Sequence, residues 1–364
     1  MLPLSPAFTL LAVSLFFGTA NAWFRLACTL PLVRERIDPI VSPGVAPANH
    51  VHSVHGGSNF APSSTYDSLR QSSCSSCLIT QDKSNYWFPT LYFQDPKTKQ
   101  FEVVPNGGLL VYYQNRGTLD KINGGPGLKA FPAGFRMISG NVKSRSQKYP
   151  PNQGTQAELA ERAVKYICLR YSAGKADYEG YGFPTTDCEA GFQARIHMPA
   201  CWDGKNVDSA DHTSHVAYLS IIDNGSCPPT HPVGLMKLFY EITWDVTTFA
   251  SRWKAGTDKW PFVYADGDPT GFSAHGDFQN GWDINVLQNA IDQCNNPNDQ
   301  TGNGITEACK YFVMQSAADA TKCRINPHVS ESTNGTLARL PGCNPIQAGP
   351  SDATLYSDSN CPAH

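Results

Sequence analysis

Twelve cysteines in a chain of 364 residues, all of them downstream of an export-type leader, restrict what this sequence can fold into more than any other feature. Leu10 to Phe17 is an apolar run of signal-peptide length, and Ala20-Asn-Ala22 fits the small-x-small cleavage pattern. Residues 1–22 carry no Lys or Arg, so only the terminal amine supplies the positive end of such a signal. The run is shorter than the ~20 residues a membrane span needs. No later stretch is long and apolar enough to span, and the C-terminus lacks the apolar tail of a lipid-anchor signal. The expectation is a secreted, extracellular protein with no membrane partner. An even number of cysteines in an exported chain predicts up to six disulfides. Cys74-Ser-Ser-Cys77 resembles a zinc or redox pair but lacks a second close pair. Asn224-Gly-Ser and Asn334-Gly-Thr are acceptors for N-glycans, which places both at the surface.

With 28 basic and 31 acidic residues, a net charge of −3 and no basic run, the chain offers no broad positive field, so nucleic acid is not an expected partner. Its 30 glycines, 27 prolines and 11% aromatics with few charges describe a turn-rich, strand-rich fold. The expected architecture is mainly β: one β-sandwich or jelly-roll-like domain over residues 23–323 with a few peripheral helices, then a disulfide-tethered wrap over 324–364. Strands are expected near 86–93, 109–113, 135–139, 163–171, 192–199, 215–222 and 234–244. Helices are expected over 156–162, after an N-cap at Asp283, and over 305–318. Alternation in the 192–199 strand puts Gln193, Arg195 and His197 on one face.

Three polar stretches carry the chemistry. Residues 201–218 gather Asp203, Asp208, Asp211, His212, His215 and Lys205 between Trp202 and Tyr218, with almost no Leu, Ile or Val. A segment so poor in core formers and so rich in titratable groups points to a site. Residues 49–57 carry His50, His52 and His55, and residues 275–283 carry His275, Asp277, Trp282 and Asp283. His50 and His52 alternate, so an extended chain points both to one face. A third ligand from His55, from the 211–215 loop or from His275 would complete a site for a divalent metal such as zinc, copper or calcium. The competing reading is that these histidines hydrogen-bond loop backbone.

Without a metal, glycosidic hydrolysis needs two carboxyls, and Asp203, Asp208, Asp211, Asp277 and Asp283 are the candidates. β-Elimination from a uronate instead needs a His or Tyr base and a cation or amide at the developing enolate. Arg136, Arg195, Gln193, His197 and Tyr218 supply those types. No Gly-x-Ser-x-Gly elbow is present for a serine nucleophile.

Four segments together resemble a fungal secreted family known only as a domain of unknown function, DUF1996. They are Asp38-Pro-Ile-Val-Ser-Pro-Gly44 with the histidine cluster, Phe131-Pro-Ala-Gly-Phe-Arg-Met137, Cys201-Trp-Asp-Gly-Lys-Asn with Asp211-His-Thr-Ser-His-Val-Ala-Tyr, and His275-Gly-Asp-Phe-Gln-Asn-Gly-Trp-Asp. The resemblance spans about residues 24–294 and implies a secreted protein, but carries no mechanism. The residues themselves point to a secreted enzyme that cleaves glycosidic bonds of a cell-wall or other extracellular polysaccharide, by hydrolysis or elimination. In that reading His212, His215, Asp211, Asp203, Arg136, His275, Asp277 and Tyr218 do the chemistry. Trp202, Trp282, Lys205, Gln193, Arg195 and His197 hold the substrate. The alternative is a non-catalytic glycan-binding protein that stacks sugars on Trp87, Trp202 and Trp282.

Overall fold

The strand Phe192–His197 shows how alternation builds this fold. Ala194 and Ile196 are buried in the main core, while Arg195 and His197 stay half-exposed on the other face. The computed structural model describes residues 24–172, 178–296 and 299–362; the expected leader, residues 1–22, lies outside them. Among the described residues the chain is mainly β, with 18 strands in four antiparallel sheets.

Two sheets make the sandwich. The larger orders Phe24–Cys28, Asn106–Gln114, Lys237–Trp244, Phe192–His197, Val164–Cys168 and Glu179–Gly180. The second orders Val33–Glu35, His52–Gly56, Asn85–Pro89, His275–Gln279 and Arg136–Gly140. Their inner faces meet through aromatic residues: Tyr86 lies 5.9 Å from Tyr240, and Phe88 lies 5.8 Å from Trp244. The Tyr240 hydroxyl donates to the Asp277 carbonyl at 3.0 Å, tying one sheet to the other. Gly276 sits at a close approach of the sheets, since a Cβ there would meet the Tyr240 ring at 3.1 Å.

All twelve cysteines pair, as Cys28–Cys77, Cys74–Cys323, Cys168–Cys188, Cys201–Cys227, Cys294–Cys309 and Cys343–Cys361. Cys74 and Cys77 go to different partners, so they form neither a zinc nor a redox pair. No helix among the described residues is long and apolar enough to cross a membrane. Six disulfides together with that observation are consistent with a secreted protein. Asn224 and Asn334 are both exposed.

The helix capped by Asp283 forms as expected over Ile284–Gln293, with the Asp283 carboxylate accepting from the Asn285 and Val286 amides. The helix expected over 305–318 does not. A 3-10 turn, Thr306–Ala308, and a separate helix, Ala317–Lys322, stand there instead. Cys309 is tethered to Cys294, and the intervening chain runs extended beside residues 78–80, so the helical period there was a coincidence of spacing. The expected 215–222 strand shortens to Val216–Ala217. The C-terminal segment is more than a wrap: Thr336–Leu337 pairs with Phe101–Val103 in a four-stranded sheet.

Candidate metal centre

His52–Gly56 and His275–Gln279 both run antiparallel to Asn85–Pro89, from opposite sides. They therefore point the same way, and the register aligns Val54 and Asp277 on either side of Trp87. Two residues earlier on each strand stand His52 and His275, on the same face by the two-residue period of a strand. His50, two residues before His52, joins them. This is the face of the sheet turned away from the larger sheet.

The result is a convergence of three imidazoles. The His275 Nε2 lies 3.1 Å from His50 Nε2 and 3.4 Å from His52 Nε2. All three residues are buried, and one nitrogen from each lies within 4.8 Å of the others. Their other nitrogens fix the tautomers. His52 Nδ1 faces the Ile37 carbonyl at 3.0 Å and His275 Nδ1 faces the Ser273 carbonyl at 2.8 Å. A carbonyl only accepts, so each Nδ1 carries its proton and each Nε2 presents a lone pair. His50 Nδ1 faces the Asn49 Oδ1 at 3.3 Å. That atom is the oxygen because the Asn49 amide nitrogen donates to the Tyr356 carbonyl at 2.9 Å.

Burial pushes all three histidines below the ordinary imidazole range; mutual proximity adds to this for His50 and His275, and His275 falls to about 3. Three neutral imidazoles thus aim lone pairs at one point. A cation between those lone pairs would offset their repulsion. A tetrahedral cation with ~2.0–2.1 Å bonds to nitrogen would hold its ligands about 3.3 Å apart, close to the two separations from His275 Nε2. Imidazoles oriented by carbonyl and amide acceptors are the usual outer support of metal-binding histidines.

Asp277 stands beside the triad, with its Oδ2 3.9 Å from His275 Nε2. It is fully buried, and neither carboxyl oxygen has a hydrogen-bond partner. Burial, and beyond it the Asp38 carboxylate, push it well above the usual carboxyl range. Such a buried, unpaired carboxyl is costly unless something else occupies the space it faces.

The three polar stretches do meet. A cavity of about 770 Å³ is lined by His50, His52 and His275 together with Asp277, Asp211 and Tyr218. The 201–218 stretch hangs on the edge strand Arg136–Gly140: the His212 carbonyl accepts from the Ile138 amide at 3.4 Å.

Several expected site residues have other work. His55 falls on the opposite strand face, fully buried against the Phe88 ring at 5.5 Å, so the third converging imidazole is His275. His215 is buried with both ring nitrogens engaged: Nε2 donates to the Arg136 carbonyl at 2.8 Å and Nδ1 meets the Ser209 hydroxyl at 2.9 Å. It has no free nitrogen to act as a base. His212 faces Asp208 at 2.8 Å, and Asp208 in turn pairs with Arg136 at 3.4 Å. Asp203 caps its own loop, accepting from the Lys205 and Asn206 amides, and Lys205 is exposed there. None of His212, His215, Asp203, Arg136 or Lys205 lines the cavity. Tyr218 does, with its hydroxyl on Ser139 at 2.8 Å, and burial pushes its phenol up to about 12. Gln193, Arg195 and His197 share a face, but it is the outer face of the larger sheet, where Arg195 pairs with Glu241 at 3.0 Å and the Lys237 ammonium donates to His197 at 2.9 Å. Trp282 is fully buried, with its indole N–H on the Tyr113 hydroxyl at 2.7 Å. Trp202 is half-buried and donates to the Asn206 carbonyl.

Asn49, Asp38, Gln156 and His231 also line the cavity and were not among the expected site residues. Asn49 had a sequence signal, since it directly precedes His50. The others are brought in by long-range folding. Replacing His215 by Ala should lower stability by about 1–3 kcal/mol, the cost of stranding buried partners, and leave the metal-holding capacity of the triad unchanged. Denaturant midpoints and elemental analysis of the variant check this.

A family model described as "Domain of unknown function (DUF1996)" matches residues 38–282, more than half of the chain. Comparison with curated proteins and with solved structures finds no match.

Proposed function

We propose that this chain, which belongs to the DUF1996 family, is a secreted metal-dependent enzyme that hydrolyses an extracellular, uncharged polysaccharide-type substrate at the His50–His52–His275 centre. The observation that carries this reading is the convergence of three Nε2 lone pairs in the lining of a cavity, next to an unpaired buried carboxyl. Three imidazoles leave a fourth position open, the pattern of catalytic rather than structural metal sites. His50, His52 and His275 would hold a divalent cation, whose chemistry there would be to acidify a water and polarise the bond under attack. Zinc suits an all-imidazole set best, copper is the second candidate, and calcium fits poorly because it takes oxygen ligands.

The chain's own residues do the rest. Asp277 offers two unpaired oxygens as hydrogen-bond partners for a water beside the triad. Asn141, Thr213 and Thr230 present an amide and hydroxyls from the walls, while Ile138, Val142 and Pro199 present apolar surface. That mixture suits a sugar ring, with polar edges and apolar faces. The lining carries Asp38, Asp211 and Asp277 but no Lys or Arg, which favours an uncharged substrate over a uronate. Elimination has less support than hydrolysis, since Arg136 and Arg195, its expected charge stabilisers, are paired with Asp208 and Glu241 instead. The glycan-binder reading loses two of its three stacking platforms, because Trp87 and Trp282 are fully buried.

The test is a panel of neutral and uronate-containing glycans, incubated with protein before and after chelation and after zinc is restored. New reducing ends from a neutral glycan, lost on chelation and regained with zinc, are expected. Product that survives chelation, unsaturated uronate products, or no product from any glycan would contradict the reading.

A further inference from the structure

We infer that the C-terminal strap, residues 343–361, is a clamp for the metal centre that works through Asn49, so that metal affinity depends on the strap's closure by the Cys343–Cys361 disulfide. The inference rests on the metal-centre reading above and extends it to a segment that lies outside the 38–282 family match.

Asn49 is gripped by the strap at two points. Its side-chain amide donates to the Tyr356 carbonyl at 2.9 Å, and its own carbonyl accepts from the Asn344 amide at 3.0 Å. The first contact determines which amide atom faces His50. With the nitrogen committed to Tyr356, the oxygen is left to accept from His50 Nδ1 at 3.3 Å. That acceptor keeps the proton on Nδ1 and the lone pair on Nε2, where the cation would bind. His52 and His275 take their orienting acceptors from backbone beside them, at Ile37 and Ser273. His50 alone among the three depends on a side chain that a distant part of the chain holds in place.

A second grip runs through Arg36, which is 5% exposed. Its guanidinium donates to the Ala48 carbonyl at 3.0 Å, immediately before Asn49, and pairs with Asp358 of the strap at 3.0 Å and with Glu331 at 2.7 Å. Leu355, between these contacts, forms part of the cavity wall. The Cys343–Cys361 disulfide closes the loop that carries Asn344, Leu355, Tyr356 and Asp358. Asn49 and the strap are thus positioning elements: they hold His50 and do not touch the metal.

The test uses the full chain and zinc as the probe, with affinity read by competition against a chelator and ligand geometry read from the visible spectrum of the cobalt(II) form. Asn49→Leu removes the acceptor and should weaken zinc roughly 10–100-fold, the usual effect of losing an outer-shell partner. Its cobalt spectrum should change, while the melting temperature of its metal-free form stays near that of the parent. Asn49→Asp keeps an oxygen facing His50 but loses the donor to the Tyr356 carbonyl, so it should weaken zinc too, by less than Asn49→Leu. The Cys343→Ser/Cys361→Ser double variant should weaken zinc in the same direction as Asn49→Leu. If the double variant does not fold, Asn344→Ala takes its place as the strap-side test. Parent-like zinc affinity and cobalt spectra in both Asn49→Leu and the strap variant would overturn the inference alone. A parent protein that binds neither zinc nor cobalt would overturn the metal-centre reading beneath it.

Discussion

Replacing His275 by Ala is expected to abolish both metal retention and product formation while leaving the sandwich folded. His275 is the hub of the triad, since its Nε2 is the atom that approaches both His50 and His52. Removing it leaves two imidazoles, too few to hold a divalent ion against competition. The loss of affinity should exceed the roughly 10–100-fold that follows from losing a mere outer-shell partner. Chelator competition on the purified variant gives the number, and circular dichroism reports the fold. Parent-like metal content in this variant would move the centre elsewhere.

Asp277→Leu should separate stability from function in opposite directions. In the metal-free protein the Asp277 carboxyl is buried with both oxygens unpartnered, beside Trp87 and Ile138 on the same sheet row. Stranding a polar group in this way costs about 1–3 kcal/mol, which an apolar side chain of similar size recovers. The metal-free variant should therefore unfold at higher denaturant than the metal-free parent. Its product formation should fall by roughly 10–100-fold, as for loss of a group that supports a bound water. Such a trade of activity for stability is the signature of a residue kept for function. A variant that is less stable and fully active would make Asp277 a structural residue.

The meeting of the three polar stretches was legible in the sequence. The 201–218 stretch is poor in core formers, the other two carry clustered histidines and acids, and all three line one cavity. The period of two correctly paired His50 with His52. It also contained the warning about His55, which is three residues from His52 and so on the opposite face. What the sequence could not show was which distant residue completes the set. That depends on register: His275 reaches His52 only because both strands flank Asn85–Pro89 in the same direction. The roles expected within the 201–218 stretch fared less well for a related reason. Its aspartates and His215 are consumed by the hydrogen bonds that a loop without apolar ballast needs. The tryptophans misled for a third reason, because a large aromatic next to polar residues reads the same whether it stacks on a ligand or, like Trp282, on Tyr113 and Phe312 in the core.

The strand face of Gln193, Arg195 and His197 was read correctly, but alternation does not say which side of the sandwich holds the cavity. That choice is made by the second sheet, which buries Ile196 against Gly276 and sends the polar face outward.

The central claim is that His50, His52 and His275 form a metal centre. Elemental analysis of the purified protein, before and after dialysis against chelator and after zinc is added back, tests it most directly. One zinc or copper ion per chain is expected, lost on chelation, restored on addition and missing from the His275→Ala variant. A parent protein that takes up no transition metal even when zinc is supplied, or that takes it up equally well without His275, would contradict the account.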